Sequence, residues 1–167
     1  IESRGMINMD YRKIEASDDK RIAEIIRANL EKFHLNIPGT AYFDKELNHL
    51  SAYYNGNPLK RAYFVALDED GEVVGGVGIA EFDGIENCAE LQKLYLDDSV
   101  KGKGYGKELM KAAEDSARAL GYENLYLETH TNLSAALKLY EKTGFKRIVK
   151  PHSTQHGTMN RFYLKKL

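Results

Sequence analysis

A chain of 167 residues fits one domain, since a domain usually takes about 100–200 residues. Its net charge of −1, with 29% charged and 43% hydrophobic residues, is ordinary globular composition, and it excludes a strongly basic nucleic-acid binder and an acidic disordered tail. The single cysteine, Cys88, excludes an internal disulfide framework and a Cys-rich zinc module, and fits a reducing compartment. No apolar run approaches the roughly 18 residues of a membrane span and no signal-peptide pattern opens the chain. The expectation is a cytoplasmic protein with no membrane or nucleic-acid partner.

Ile1-Glu2-Ser3-Arg4-Gly5 precedes two methionines, Met6 and Met9, and reads as a processing or cloning remnant. Residues 1–8 are therefore set apart from one continuous domain over 9–167, which shows no repeat, low-complexity tract or Pro/Ser-rich linker. Asp10 to Ile14 is the first predicted strand. Ser17-Asp18-Asp19 supplies capping residues for a helix carrying Ile22, Ile25, Ile26, Leu30 and Phe33 at helical spacing. Pro38-Gly39 breaks the chain, and Phe43, Leu47, Leu50 and Tyr54 suggest a second, shorter helix ended by Asn55-Gly56-Asn57-Pro58. Ala62 to Leu67 and Val73 to Phe82 read as a hairpin around Asp70-Gly71, whose acids lack calcium-loop spacing. Cys88 to Leu96 is a strand, Gly104 to Leu120 a long helix stopped by Gly121, and Leu125 to His130 a strand. Leu133 to Thr143 is a helix ended by Gly144, followed by strands at Phe145 to Val149 and Arg161 to Leu167. This order predicts an α/β fold whose mixed, twisted sheet is flanked by helices, with at least one parallel crossover.

The sharpest feature is Lys101-Gly102-Lys103-Gly104-Tyr105-Gly106-Lys107, between a strand and the long helix. Glycines permit close backbone approach, and a helix N-terminus offers N–H groups to an anion. The stretch reads either as a phosphate or pyrophosphate cradle or as a flexible helix entry with solvated lysines. It fails the dinucleotide fingerprint, which needs glycine or alanine at Lys107, and it fails the P-loop, which needs glycine at Lys101 and Ser or Thr at Glu108.

Together with the preceding Glu90-Leu91-Gln92-Lys93-Leu94-Tyr95-Leu96-Asp97, this turn resembles the GCN5-related N-acetyltransferase (GNAT) family, whose signature Arg/Gln-x-x-Gly-x-Gly/Ala falls on Lys101, Gly104 and Gly106. Lysine replaces the usual Arg or Gln. Leu139-Tyr140-Glu141-Lys142-Thr143-Gly144-Phe145 is similar to a second family signature, and the element order matches from Met9 to Leu167. The resemblance implies a sheet that splays into a V beyond Leu96, one N-acetyltransferase domain over 9–167, and acetyl-CoA as cosubstrate. It implies that the pantetheine arm pairs with the backbone of Leu94, Tyr95 and Leu96, that the pyrophosphate sits on the turn from Lys101 to Lys107, and that Tyr140 is the general acid. Many members place a cofactor-contacting Asn seven residues before that tyrosine. Here that place is Leu133, with Asn132 one residue earlier, as a cofactor contact or a helix cap.

The implied reaction moves an acetyl group to a primary amine of a small molecule or peptide by direct attack in a ternary complex. The alternative is a non-catalytic acyl-CoA sensor on the same fold. The amine must lose a proton, and Glu90 is the first candidate base, ahead of Glu81, Glu128 and His130. Cys88 reads as packing, and His152 with His156 has the spacing of a zinc half-site but no Cys pair, so no metal is expected. Residues 34–61 are expected to wall the acceptor site, and the resemblance also allows a homodimer.

Overall fold

The computed structural model describes residues 9–151 and 156–167. Seven strands form one sheet: β1 (Asp10–Lys13), β2 (Ala62–Leu67), β3 (Val73–Phe82), β4 (Cys88–Leu96), β5 (Asn124–Thr129), β6 (Lys146–Ile148) and β7 (Arg161–Lys166). Their spatial order is β1-β2-β3-β4-β5-β7-β6, and every neighbouring pair is antiparallel except β4 with β5. That one parallel pair needs a crossover, which helix α3 (Tyr105–Ala119) supplies. The other helices are α1 (Asp19–Lys32), α2 (Leu50–Asn55) and α4 (Ser134–Lys142).

Alternating strand residues feed two cores, one on each face of the sheet. Tyr63 and Val65 of β2 pack with Ile22, Ile26 and Leu30 of α1 and with Leu50 and Tyr54 of α2. Ala62 and Ala66, on the opposite face, pack with Leu109, Met110, Ala113 and Ala117 of α3. The expected helix around Phe43 to Tyr54 is broken up: Ala41–Phe43 and Leu47–His49 are single turns of 3-10 helix, and only Leu50–Asn55 is α-helical. Lys45 and Glu46 between them are not apolar, so the segment lacks a continuous stripe to hold a longer helix against the core. The first helix also starts differently: the Asp18 side chain does not cap α1 but binds the Arg12 guanidinium at 2.7 and 3.0 Å and the Glu15 N–H at 2.8 Å.

Two helix ends are built alike, with consequences for the site. Tyr122 N–H reaches back to Ala117 O at 3.0 Å around Gly121 (φ +91°), and Phe145 N–H reaches Tyr140 O at 3.1 Å around Gly144 (φ +95°). Both are left-handed helix stops that favour glycine. The second lays the Phe145 ring edge-on against Tyr140, with centroids 5.8 Å apart, so the Gly-Phe pair in the second motif fixes the tyrosine two turns after α4 begins.

The sheet does splay, but earlier than expected. Pairing between β4 and β5 covers only Cys88–Glu90 against Asn124–Tyr126, so the strands part after Glu90 rather than beyond Leu96. The physical cause is a β-bulge. The β3–β4 register shifts between Gly76 and Gly78, and Lys93 takes a left-handed backbone (φ +50°), so β4 carries an extra residue and bends away from β5.

Candidate active site

The splay opens a cavity of about 430 Å³. One wall is the part of β4 that β5 abandons. Asp97 N–H donates to Val74 O at 2.7 Å, and Tyr95 is the partner of Gly76. By the two-residue alternation of an antiparallel ladder, Tyr95 is bonded to β3 while Leu94 and Leu96 turn their N–H and C=O groups toward the open side. The Leu96 carbonyl accepts from Asn29 Nδ2 at 2.8 Å; the same amide donates to Ile25 O at 2.9 Å, which ties α1 to the strand edge. Leu94, Tyr95 and Leu96 all line the cavity. This is a strand edge without a strand beside it, the arrangement that an extended ligand can complete.

The glycine turn lines the same cavity through Lys101, Gly102, Gly104, Gly106 and Lys107. Gly102 (φ +77°) and Gly104 (φ +86°) are left-handed, and Gly104 immediately precedes α3 without a side chain to cap it. The first turn of a helix has N–H groups with no acceptor inside the helix, and they carry the positive end of its dipole. The side chains of two residues of the expected cradle point elsewhere. Tyr105 is buried in the core with Leu109 and Ala113, the residues one and two turns further along its helix face. Lys103 is exposed and does not line the cavity. Lys101 is engaged inside the protein: its Nζ is 2.8 Å from Asp98 Oδ1, a carboxylate shared with Lys32 at 3.3 Å, and 5.2 Å from the Phe33 ring centroid. Replacing Gly104 by Val forces a β-branched residue into left-handed backbone at a cost of about 1–2 kcal/mol. The expected result is roughly a tenfold rise in KM for the acyl donor with kcat changed far less, read from initial rates at varied donor.

Tyr140 lines the cavity with its ring held by Phe145 and Tyr163. Burial, with Tyr95 nearby, pushes its hydroxyl well above the usual phenol range, so it carries its proton at all working pH values. Asn132 neither lines the cavity nor caps α4. Its Nδ2 donates to Phe33 O at 2.9 Å, and its N–H donates to His130 Nδ1 at 3.0 Å, so it ties the β5–α4 loop to the end of α1.

Glu90 stands at the last paired position before the strands part, and Glu128 faces it from β5. Burial raises the Glu90 carboxyl, and the Glu128 charge adds to this, against a Gln92 hydrogen bond and the charges of His156 and Lys93. Glu128 accepts from Tyr126 Oη at 2.7 Å. The other acids and the thiol are accounted for elsewhere. Glu81 is held by the Arg61 guanidinium, and burial together with the Glu90 charge pushes the Cys88 thiol up to about 12.

Sequence reasoning missed a buried ion pair on the bulge. Lys93 Nζ lies 2.7 Å from Asp44 Oδ2, and Asp44 also takes His156 Nε2 at 2.8 Å. Burial alone would raise the Asp44 carboxyl, but the His156 hydrogen bond and the Lys93 charge together hold it below the usual carboxylate range. His156 and Lys93 line the cavity. His152 lies outside the described residues, and among the described residues no group of three or more His, Cys, Asp or Glu is arranged to hold a metal ion.

Residues 22–145 match the model of the Acetyltransferase (GNAT) family. The chain belongs to the GNAT acetyltransferase family. It is 37% identical over 139 residues to the uncharacterized N-acetyltransferase YjgM of Escherichia coli (strain K12), across 82% of this chain and 81% of that one. Among solved structures, a GNAT acetyltransferase from Staphylococcus aureus Mu50 superposes with a TM-score of 0.82 at 19% identity, over 95% of this chain and 98% of that one. A GNAT phosphinothricin acetyltransferase from Sinorhizobium meliloti, solved in complex with acetyl-CoA, gives 0.75 at 25% identity over 96% and 89%. This GNAT member is thus an N-acetyltransferase on a mixed seven-stranded sheet. No helix among its described residues is long and apolar enough to cross a membrane.

Proposed function

We propose that residues 9–167 form one N-acetyltransferase domain that takes acetyl-CoA as cosubstrate and acetylates the primary amine of a small molecule or peptide. The observation that carries this reading is the open edge of β4 at Leu94 and Leu96, which shares one cavity with the glycine turn, Tyr140 and Glu90. The phosphinothricin acetyltransferase with acetyl-CoA bound supports the choice of donor and of a small amine as acceptor. In this reading the pantetheine arm pairs with the Leu94 and Leu96 backbone, and the pyrophosphate meets the N–H groups at Gly104 to Lys107. The positive charge there comes chiefly from the helix and Lys107, since Lys101 is paired with Asp98.

The acceptor enters as an ammonium beside Glu90 and Glu128. Glu90 takes one proton from it; the amine nitrogen then bonds to the acetyl carbon, and a backbone N–H of the Leu94–Leu96 edge polarises the carbonyl. The carbon–sulfur bond breaks, Tyr140 gives its proton to the departing thiolate, and the second proton of the newly bonded nitrogen returns to the Tyr140 oxygen, leaving the amide, the free thiol of CoA and a protonated Glu90. A free-thiol release assay with acetyl-CoA over a panel of amines tests the whole. Amine-dependent release supports it, and no release with any amine, without acetyl-CoA binding, contradicts it. A cytoplasmic setting and action without nucleic acid belong to the same reading.

Glu90→Gln separates the base from the fold. The raised Glu90 carboxyl means that the fold favours its protonated form. Its stabilising contribution is complete below the unfolded carboxyl range and is lost as pH rises through the raised native value. The permanently neutral glutamine is therefore expected to melt higher than wild type at pH 8, with a smaller gain at pH 5, while kcat falls about 100-fold.

A further inference from the structure

Glu90 is the first link of a half-buried hydrogen-bond chain that ends in a fully buried residue far from it in sequence. Gln92 Nε2 donates to Glu90 Oε1 at 2.7 Å, and Tyr54 Oη donates to Gln92 Oε1 at 2.7 Å. Tyr54 is fully buried in the core between α1, α2 and the sheet. Its hydroxyl reaches β4 because β3 is notched: Gly78, the register partner of Gln92, would put a Cβ only 2.7 Å from Tyr54 Cζ and Oη. Among the described residues the Tyr54 hydroxyl proton has one acceptor, the Gln92 carbonyl oxygen.

That arrangement decides which way the Gln92 amide points. An amide has one donor end and one acceptor end. If it flipped, the Tyr54 proton would be left buried without an acceptor, and such an orphan costs about 1–3 kcal/mol. With its oxygen held by Tyr54, Gln92 presents N–H to Glu90, and an N–H favours the carboxylate over the carboxylic acid. We propose that Tyr54, acting through Gln92 and admitted by Gly78, is a positioning residue that biases Glu90 toward its proton-accepting form.

This inference rests on the reading of Glu90 as the base. The charged and titratable groups facing Glu90 are Cys88 and Lys93 on its own strand, Tyr126 and Glu128 from β5, His156 from the segment before β7, and Tyr53 and Tyr54 from α2. Of these, Tyr54 alone is hydrogen bonded to Gln92.

The test is the pH profile of kcat at saturating acetyl-CoA and amine, in three variants. Glu90→Gln is expected to remove the acidic limb, and a limb that survives there overturns the base reading itself. In Tyr54→Phe the amide is free to turn its oxygen to a protonated Glu90, so the limb moves up by about half to one pH unit with the high-pH plateau retained. Gln92→Met cannot donate and shifts the limb the same way with Tyr54 still in place. It therefore reports on the proposal if Tyr54→Phe yields no folded protein. If Glu90→Gln removes the limb but Tyr54→Phe and Gln92→Met leave it at the wild-type pH, Glu90 remains the base and the positioning role of Tyr54 is wrong. A lowered plateau with an unmoved limb means only a structural role, and likewise overturns it.

Discussion

Tyr140→Phe is expected to lower kcat by about 100-fold or more while acetyl-CoA binds as before. A positioned general acid contributes typically 10²–10⁴-fold, and the substitution removes only the proton donor. The ring stays where it is, because Phe145 and Tyr163 hold it by its faces and edges rather than through the hydroxyl. Among the described residues no protein group is hydrogen bonded to that hydroxyl, so its removal orphans nothing and the melting temperature should hardly move. Because burial already keeps the phenol protonated across the working range, the wild-type rate should show no alkaline limb from Tyr140 below about pH 10. A non-catalytic acyl-CoA sensor would have no turnover to lose. Unchanged kcat in Tyr140→Phe would remove the tyrosine from the chemistry.

Lys93→Met is expected to be the most destabilising change among those considered. The ammonium is buried against Asp44 at 2.7 Å, with Glu46 at 3.5 Å. Removing the ammonium leaves the buried Asp44 carboxylate with His156 at 2.8 Å but without the lysine charge, and costs about 3–5 kcal/mol, or on the order of 10 °C in Tm for a chain of this size. Asp44 is held below its ordinary range, so its contribution is present above the unfolded value and disappears as pH falls through the lower native one. The stability gap between wild type and Lys93→Met should therefore narrow in strong acid. Adding Asp44→Leu to the variant should recover much of the loss, since an apolar pair of similar size is often as stable as a buried ion pair. A single-variant cost below about 1 kcal/mol in urea titrations would contradict this account of the bulge.

The two motifs were legible because each is a local backbone requirement. Gly104 and Gly106 mark a helix entry, and Gly144-Phe145 marks a left-handed helix stop that clamps Tyr140, so residues a few positions apart carry the geometry. The hairpin at 62–82 was legible for the same reason. Tyr105 belongs to two patterns at once: its backbone lies in the glycine turn, while its side chain joins Leu109 and Ala113, its i+4 and i+8 partners, on the core face. The early splay was not legible, because Lys93 is a non-glycine residue in left-handed backbone and nothing in its neighbours announces a bulge. Asp44, Lys93 and His156 are brought together only by the tertiary fold, with 112 residues separating Asp44 from His156. The same holds for Tyr54 and Gln92, 38 residues apart.

The central claim is that acetyl-CoA completes the open edge of β4 and rests on the glycine turn. Backbone amide spectra of labelled protein titrated with acetyl-CoA address it directly. The largest shifts are expected at Leu94, Leu96, Gly104, Gly106 and Lys107, with Asn132 and the β1 amides little affected. Saturable binding that leaves those five amides unmoved, or no binding at all, would contradict it.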